Sequence, residues 1–172
     1  MSSPKQTVSG LILPAAAPTR HGLSQSLFQT NNDYGSLVAR IALGVAIFPH
    51  GAQKALGWFG GYGFAGTMNF FTQQRHIPAA FAALAIAAEF LGALGLITGL
   101  LGRVAAFGIM VTMAVAALTA HLSNGFFMNW MGNQKGEGIE YFILAIGLAI
   151  TLIINGSGAL SLDRFLSARA DR

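Results

Sequence analysis

The chain contains no cysteine. That removes disulfides, thiolate-held iron–sulfur clusters and covalent haem attachment at once. Charge is almost as scarce: 9% of the 172 residues are Asp, Glu, Lys or Arg, against 53% hydrophobic. A soluble domain carries about 25% charged residues. So few charges cannot cover a water-facing surface on a chain of this size, which holds one domain. Much of its apolar surface therefore faces lipid. The ten Lys and Arg residues form no basic run. They sit between long apolar stretches, which excludes a nucleic-acid partner and favours a membrane. There is no P-loop, no G-x-S-x-G and no dinucleotide fingerprint after a strand. No H-x-x-x-H or E-x-x-H spacing occurs, so no metal site is expected.

Four apolar segments are present, at about Leu37–Trp58, Ala79–Leu101, Val104–Leu122 and Ile139–Asn155. Each approaches the roughly 17–25 residues that cross a hydrocarbon core of ~30 Å. Backbone amides in lipid must be bonded within their own segment, so each is read as a helix. The expected fold is all-α: a transmembrane four-helix bundle spanning residues 34–166. Residues 1–33, with Pro4, Pro14 and Pro18 and many polar residues, read as a mobile tail, a signal peptide being the alternative. Residues 167–172 read as a short C-terminal tail. Pro49 is expected to kink the first helix. Gly102 and Arg103 are placed in a tight turn that makes helices two and three antiparallel neighbours. In the first loop Phe64, Met68 and Phe71 fall at i, i+4 and i+7, which predicts a short interfacial helix. Trp58, Tyr62 and Trp130 fit an aromatic belt at one surface.

Lys and Arg placement sets the orientation. One side receives Lys5, Arg20, Arg40, Arg103, Arg164, Arg169 and Arg172, and the other receives Lys54, Arg75 and Lys135. Seven against three places both termini in the cytoplasm. Small residues are dense around Gly92, Gly95 and Gly99. They allow close helix packing within the chain, with homo-oligomerisation as the alternative.

Glu89 is the main candidate for chemistry. It lies near the middle of the second segment, about 15 Å from either surface by helix rise. A lone carboxylate there costs at least ~3 kcal/mol, so it is paired, protonated or wetted. On the first helix Arg40, Gly51 and Lys54 share a face, with His50 beside them. The expected buried polar cluster is therefore Glu89 with His50 or Lys54, and with Arg40 as the alternative partner from the other side. His121 closes the third segment and Glu140 opens the fourth, so both are candidates for the rim of a cavity reached from the same end. Solvated loop-edge residues are the plainer account of those two. A quinone head group suits such a cavity, bonded by His and Lys donors. Haem ligation by His50 and His121 is the weaker option, because nothing else suggests a haem cavity. No cofactor is expected to be intrinsic to the chain.

Several stretches together resemble the DoxX family of small bacterial membrane proteins. RIALGVAIFPHGAQK, from Arg40 to Lys54, is similar to the family's first helix. GGYGFAGTMNFF and HIPAAF are similar to the loop that follows it. AAEFLGALGLITGLLGR is similar to its glutamate-bearing helix and Gly-Arg turn, and GFFMNW with GEGIEYFILAIG to its last loop and helix. The resemblance covers about Leu37 to Leu166 and carries over Arg40, Gly51, Lys54, Glu89, Gly92, Arg103 and Glu140. It implies a four-helix protein of the bacterial inner membrane. It also implies an accessory role beside a quinone-linked redox or oxidative-stress system, without a catalytic motif of its own. A membrane or membrane-associated redox partner would then supply the metal or flavin. The rival expectations are a homodimeric small-molecule transporter and a membrane scaffold without catalysis.

Overall fold

In the computed structural model, which describes residues 27–170, six helices follow one another. These are α1 (Tyr34–Leu56), α2 (Gly63–Asn69), α3 (Ala79–Thr98), α4 (Gly102–Ala116), α5 (Glu140–Asn155) and α6 (Leu162–Ala170). No strand occurs among the described residues. The expected tail falls mostly on residues 1–26 and 171–172, which lie outside the described residues.

Each long helix hides one stripe at helical spacing. On α1 it is Ser36, Arg40, Leu43, Ile47 and Gly51; on α3 it is Ala82, Ile86, Glu89, Ala93 and Leu96. Helix α4 turns in Ala106, Ile109 and Met113, and α5 turns in Phe142, Ala145, Ala149 and Leu152. The four helices pack in a ring, α1 on α3, α3 on α4, α4 on α5 and α5 back on α1. The outward faces are dominated by larger apolar side chains such as Phe81, Leu84, Leu91, Phe107, Leu118, Leu144 and Ile154, all more than half exposed on the chain's own surface. Small residues inside and large apolar residues outside is the distribution that lipid imposes.

Helices α1 and α3 are long and apolar enough to cross a bilayer, as is α4 continued by a π turn and a short 3-10 turn to Asn124. Helix α5 is apolar but has 16 residues, about 24 Å by rise. It stops at Gly156, and the segment 156–159 is buried but not helical. Pro49 lies inside α1, which is continuous through it. The turn between α3 and α4 falls at Gly99–Leu101, just before the expected Gly102–Arg103, because Gly99 (φ 69°) and Leu101 (φ 51°) supply the left-handed backbone. The short helix expected in the first loop is α2, prolonged by a π turn to Gln74. Helix α6 has no counterpart in the sequence expectations, which ended the membrane domain inside it.

Three charged side chains close the end of the bundle nearest the termini, each on the helix end of opposite polarity. Arg40 donates to the Leu96 and Ile97 carbonyls at the end of α3, and to Ser157, Ala159 and Leu160 in the irregular segment. Asp163 accepts from the Leu101 and Gly102 amides at the start of α4 (2.7 and 2.9 Å) and from Ser157 Oγ (2.6 Å). Arg103 donates to Ile153 and Ile154 at the end of α5. Non-helical backbone at membrane depth survives only where its polar groups are met by protein. Arg40 and Asp163 meet them here.

Candidate functional site

The opposite end of the bundle carries the charged pair. Lys54, in the last turn of α1, places Nζ 2.5 Å from Glu89 Oε2 on α3. It is the one salt bridge among the described residues. Glu89 is 4% exposed, whereas the Lys54 side chain keeps 27% of its surface open. The carboxylate is thus enclosed, and the ammonium reaches it from the rim along its aliphatic stem.

Glycine sets this geometry. A Cβ on Gly51 would lie 2.6 Å from the Glu89 carbonyl carbon and from Phe90 Cα. One turn further along α1, Lys54 therefore stands directly over the Glu89 side chain. Gly44, seven residues earlier, makes a second close approach, with its notional Cβ 3.1 Å from the Ala93 carbonyl oxygen. Phe48 packs on the residue that follows Glu89, its ring centroid 6.0 Å from Phe90 and 6.5 Å from Trp58.

The other expected members are placed differently. His50 is exposed on the outside of the bundle and bonds nothing among the described residues. Lys54, not His50, is the partner of Glu89. Arg40 is not in this cluster. All three of its nitrogens are spent on carbonyls at the far end, about two helical turns from Glu89 along α3. His121 and Glu140 organise the loop between α4 and α5 instead of reaching the pair. His121 Nδ1 lies 2.9 Å from the Glu137 carbonyl oxygen, and Glu140 accepts from the Met128 amide at 3.2 Å. Among the described residues no group of three or more His, Asp or Glu gathers as metal ligands.

The sequence model of the DoxX family matches residues 35–122, which include both members of the pair. The chain belongs to the DoxX family. It is also 30% identical over 142 residues to Inner membrane protein YqjF of Escherichia coli (strain K12), covering 80% of this chain and 95% of that protein. It is 29% identical over 134 residues to "Putative oxidoreductase CatD" of Bacillus subtilis (strain 168), covering 78% and 88%. No solved structure matches the chain significantly. With its apolar helices and these relatives, this DoxX-family chain is a membrane protein.

Two residues of the DoxX bundle escaped the sequence reading. Asp163 looked like one charge in a polar C-terminal segment, and only the serine–glycine run before it hinted at a capping turn. Tyr141 follows Glu140 and read as part of an apolar run. Its ring packs against the core, and its hydroxyl is buried.

Proposed function

We propose that this DoxX-family chain is the membrane-embedded subunit of a quinone-linked redox system and that the Lys54–Glu89 pair is its quinone-facing site. The observation that carries the reading is one ion pair, 2.5 Å long, between two helices that otherwise pack at that level through glycine and apolar residues. Ion pairing at this depth is expensive to maintain, and intramembrane ionisable residues are functional by default. A quinone is an apolar ligand with two polar oxygens, and it reaches a site in the bilayer from the acyl phase. Lys54 has the donors to hold a ring oxygen, and Glu89 the acceptor for a quinol hydroxyl. Oxidising a quinol to the quinone releases two electrons and two protons. Glu89 would take one proton, the second would leave to water at the open rim beside Lys54, and a metal or flavin on a membrane or membrane-associated partner would take the two electrons. The name of the Bacillus relative supports redox chemistry, and that of the Escherichia relative supports the inner membrane. The Lys and Arg distribution supports cytoplasmic termini.

Trp58 makes the test simple, because it follows Lys54 by four residues and packs on Phe48. The chain has two tryptophans, so W130F leaves Trp58 as the sole indole. In lipid nanodiscs, a short-tailed benzoquinone is expected to quench W130F fluorescence saturably, and W130F/E89Q/K54M far less. Quenching that rises linearly without saturation, and equally in both proteins, sinks the proposal.

A further inference from the structure

Two buried side-chain nitrogen or oxygen atoms among the described residues have no hydrogen-bond partner: Arg103 Nε and the Tyr141 hydroxyl. For Arg103 the remainder of the guanidinium is fully engaged, with Ile153, Ile154 and Gln29. Tyr141 has one polar atom, and that atom is unmet. A phenylalanine would fill almost the same space without burying an unpaired donor, whose desolvation exceeds what a typical made hydrogen bond returns. Buried tyrosine hydroxyls ordinarily find a partner.

Topology brings this donor to the same end of the bundle as the ion pair. Tyr141 sits in the opening turn of α5, and Lys54 sits in the closing turn of α1. These helices run antiparallel in contact, so both residues stand at the same end of the bundle. The Glu89 carboxylate is itself half used, since Oε2 takes Lys54 and no donor among the described residues reaches Oε1. This end of the bundle thus holds one buried unmet donor, a carboxylate with one oxygen not taken by Lys54, and one ammonium. A quinone carbonyl accepts from a phenol or an ammonium, and a quinol hydroxyl can in addition donate to a carboxylate, which matches that set.

We infer that Tyr141 is a ligand-contacting residue of the Lys54–Glu89 site, donating its hydroxyl hydrogen bond to a ring oxygen of the quinone head group. This rests on the quinone-linked reading and adds the donor from the third helix that the ion pair lacks. It also accounts for a buried hydroxyl that bonds nothing among the described residues.

The experiment uses nanodisc-reconstituted full-length chain with Trp58 as the sole tryptophan and a short-tailed benzoquinone as probe. Adding Y141F is expected to weaken binding about tenfold, the worth of one hydrogen bond, without lowering the melting temperature. A second measurement needs no change at Tyr141. The chain has three tyrosines, and Tyr34 and Tyr62 are exposed. In Y34F/Y62F the single remaining phenol C–O infrared band is expected to shift when quinone is added. Unchanged affinity in Y141F overturns the assignment, as does an unmoved phenol band while Trp58 is quenched. So does an affinity loss that only tracks a lowered melting temperature, since that marks a structural hydroxyl. Absence of saturable quenching in the W130F parent takes down the quinone reading itself, and this inference with it. The two failures are therefore separable.

Discussion

Gly51 on α1 and Glu89 on α3 meet backbone to backbone, so closely that a single methyl group on Gly51 would lie 2.6 Å from the Glu89 carbonyl. The ion pair one turn along is a consequence of that contact. G51A is expected to push the helices apart and cost about 3 kcal/mol, the upper range for overpacking. G44A should cost less, because its nearest neighbour at 2.9 Å is the movable Ile97 side chain. G92A meets Ile109 at an ordinary 3.4 Å and should be near neutral. Thermal melts in one detergent give the order, and a G92A loss equal to that of G51A contradicts it.

The Lys54–Glu89 pair is expected to be strongly coupled. Removing one member of a buried pair costs about 3–5 kcal/mol, whereas apolar replacement of both is often neutral. Partial exposure of Lys54 places each single loss at or below the low end of that range. K54M and E89Q should each lower the melting temperature, and K54M/E89L should recover most of it. Simple addition of the single losses would show that the charges do not depend on each other.

Arg40 is expected to be irreplaceable by lysine. Its fork serves five carbonyls on two segments. An ammonium has three donors and no planar geometry. R40K should cost about 3 kcal/mol, since hydrogen bonds from charged groups contribute about 1.5–3 each. It should also expose 156–161 to added protease, while Trp58 still reports quinone normally. Wild-type stability in R40K would refute the clasp.

Asp33 caps α1, accepting from the Gly35 and Ser36 amides at 3.0 and 2.8 Å and from Ser36 Oγ at 2.7 Å. These bonds, the Ser36 hydroxyl first, hold its carboxyl below the usual 3.8. A folded value below the unfolded one means that the cap's contribution is complete above about pH 4. It is then lost as pH falls through the lowered value. Exchange protection of the Ser36 amide should therefore drop only in strong acid, and D33A should lose that pH dependence. A drop centred near neutrality would point to another group.

Absence of cysteine makes orientation directly readable. With both termini cytoplasmic, K135C should react with an impermeant maleimide added outside intact cells, and A168C only after lysis. The reverse pattern inverts the topology.

How much of this was legible before the structure depends on how local the physics is. Glu89 could be singled out because it is the one charge in the apolar segment 79–101, where a lone carboxylate must be paired, protonated or wetted. The aromatic ends and the short helix of the first loop were equally local. Lys54 was named, but it could not be separated from His50, because α1 rotation is fixed only when Gly51 docks on α3. Arg40 was misassigned because its partners Ser157 and Ala159 lie 117 and 119 positions away. Which carbonyls need a donor is known only once α5 stops short.

Hydropathy and charge scarcity alone determined that this chain lives in a bilayer as a helical bundle, because in hydrocarbon each backbone amide must be satisfied within its own helix. Tertiary structure alone decided which polar group meets which: Lys54 on Glu89, Arg40 on carbonyls of the α3 end and of the irregular segment, Asp163 on the α4 amides, and Tyr141 on nothing among the described residues. A buried polar group takes whatever partner packing brings within 3 Å, and packing here is set by glycines whose neighbours lie on other helices.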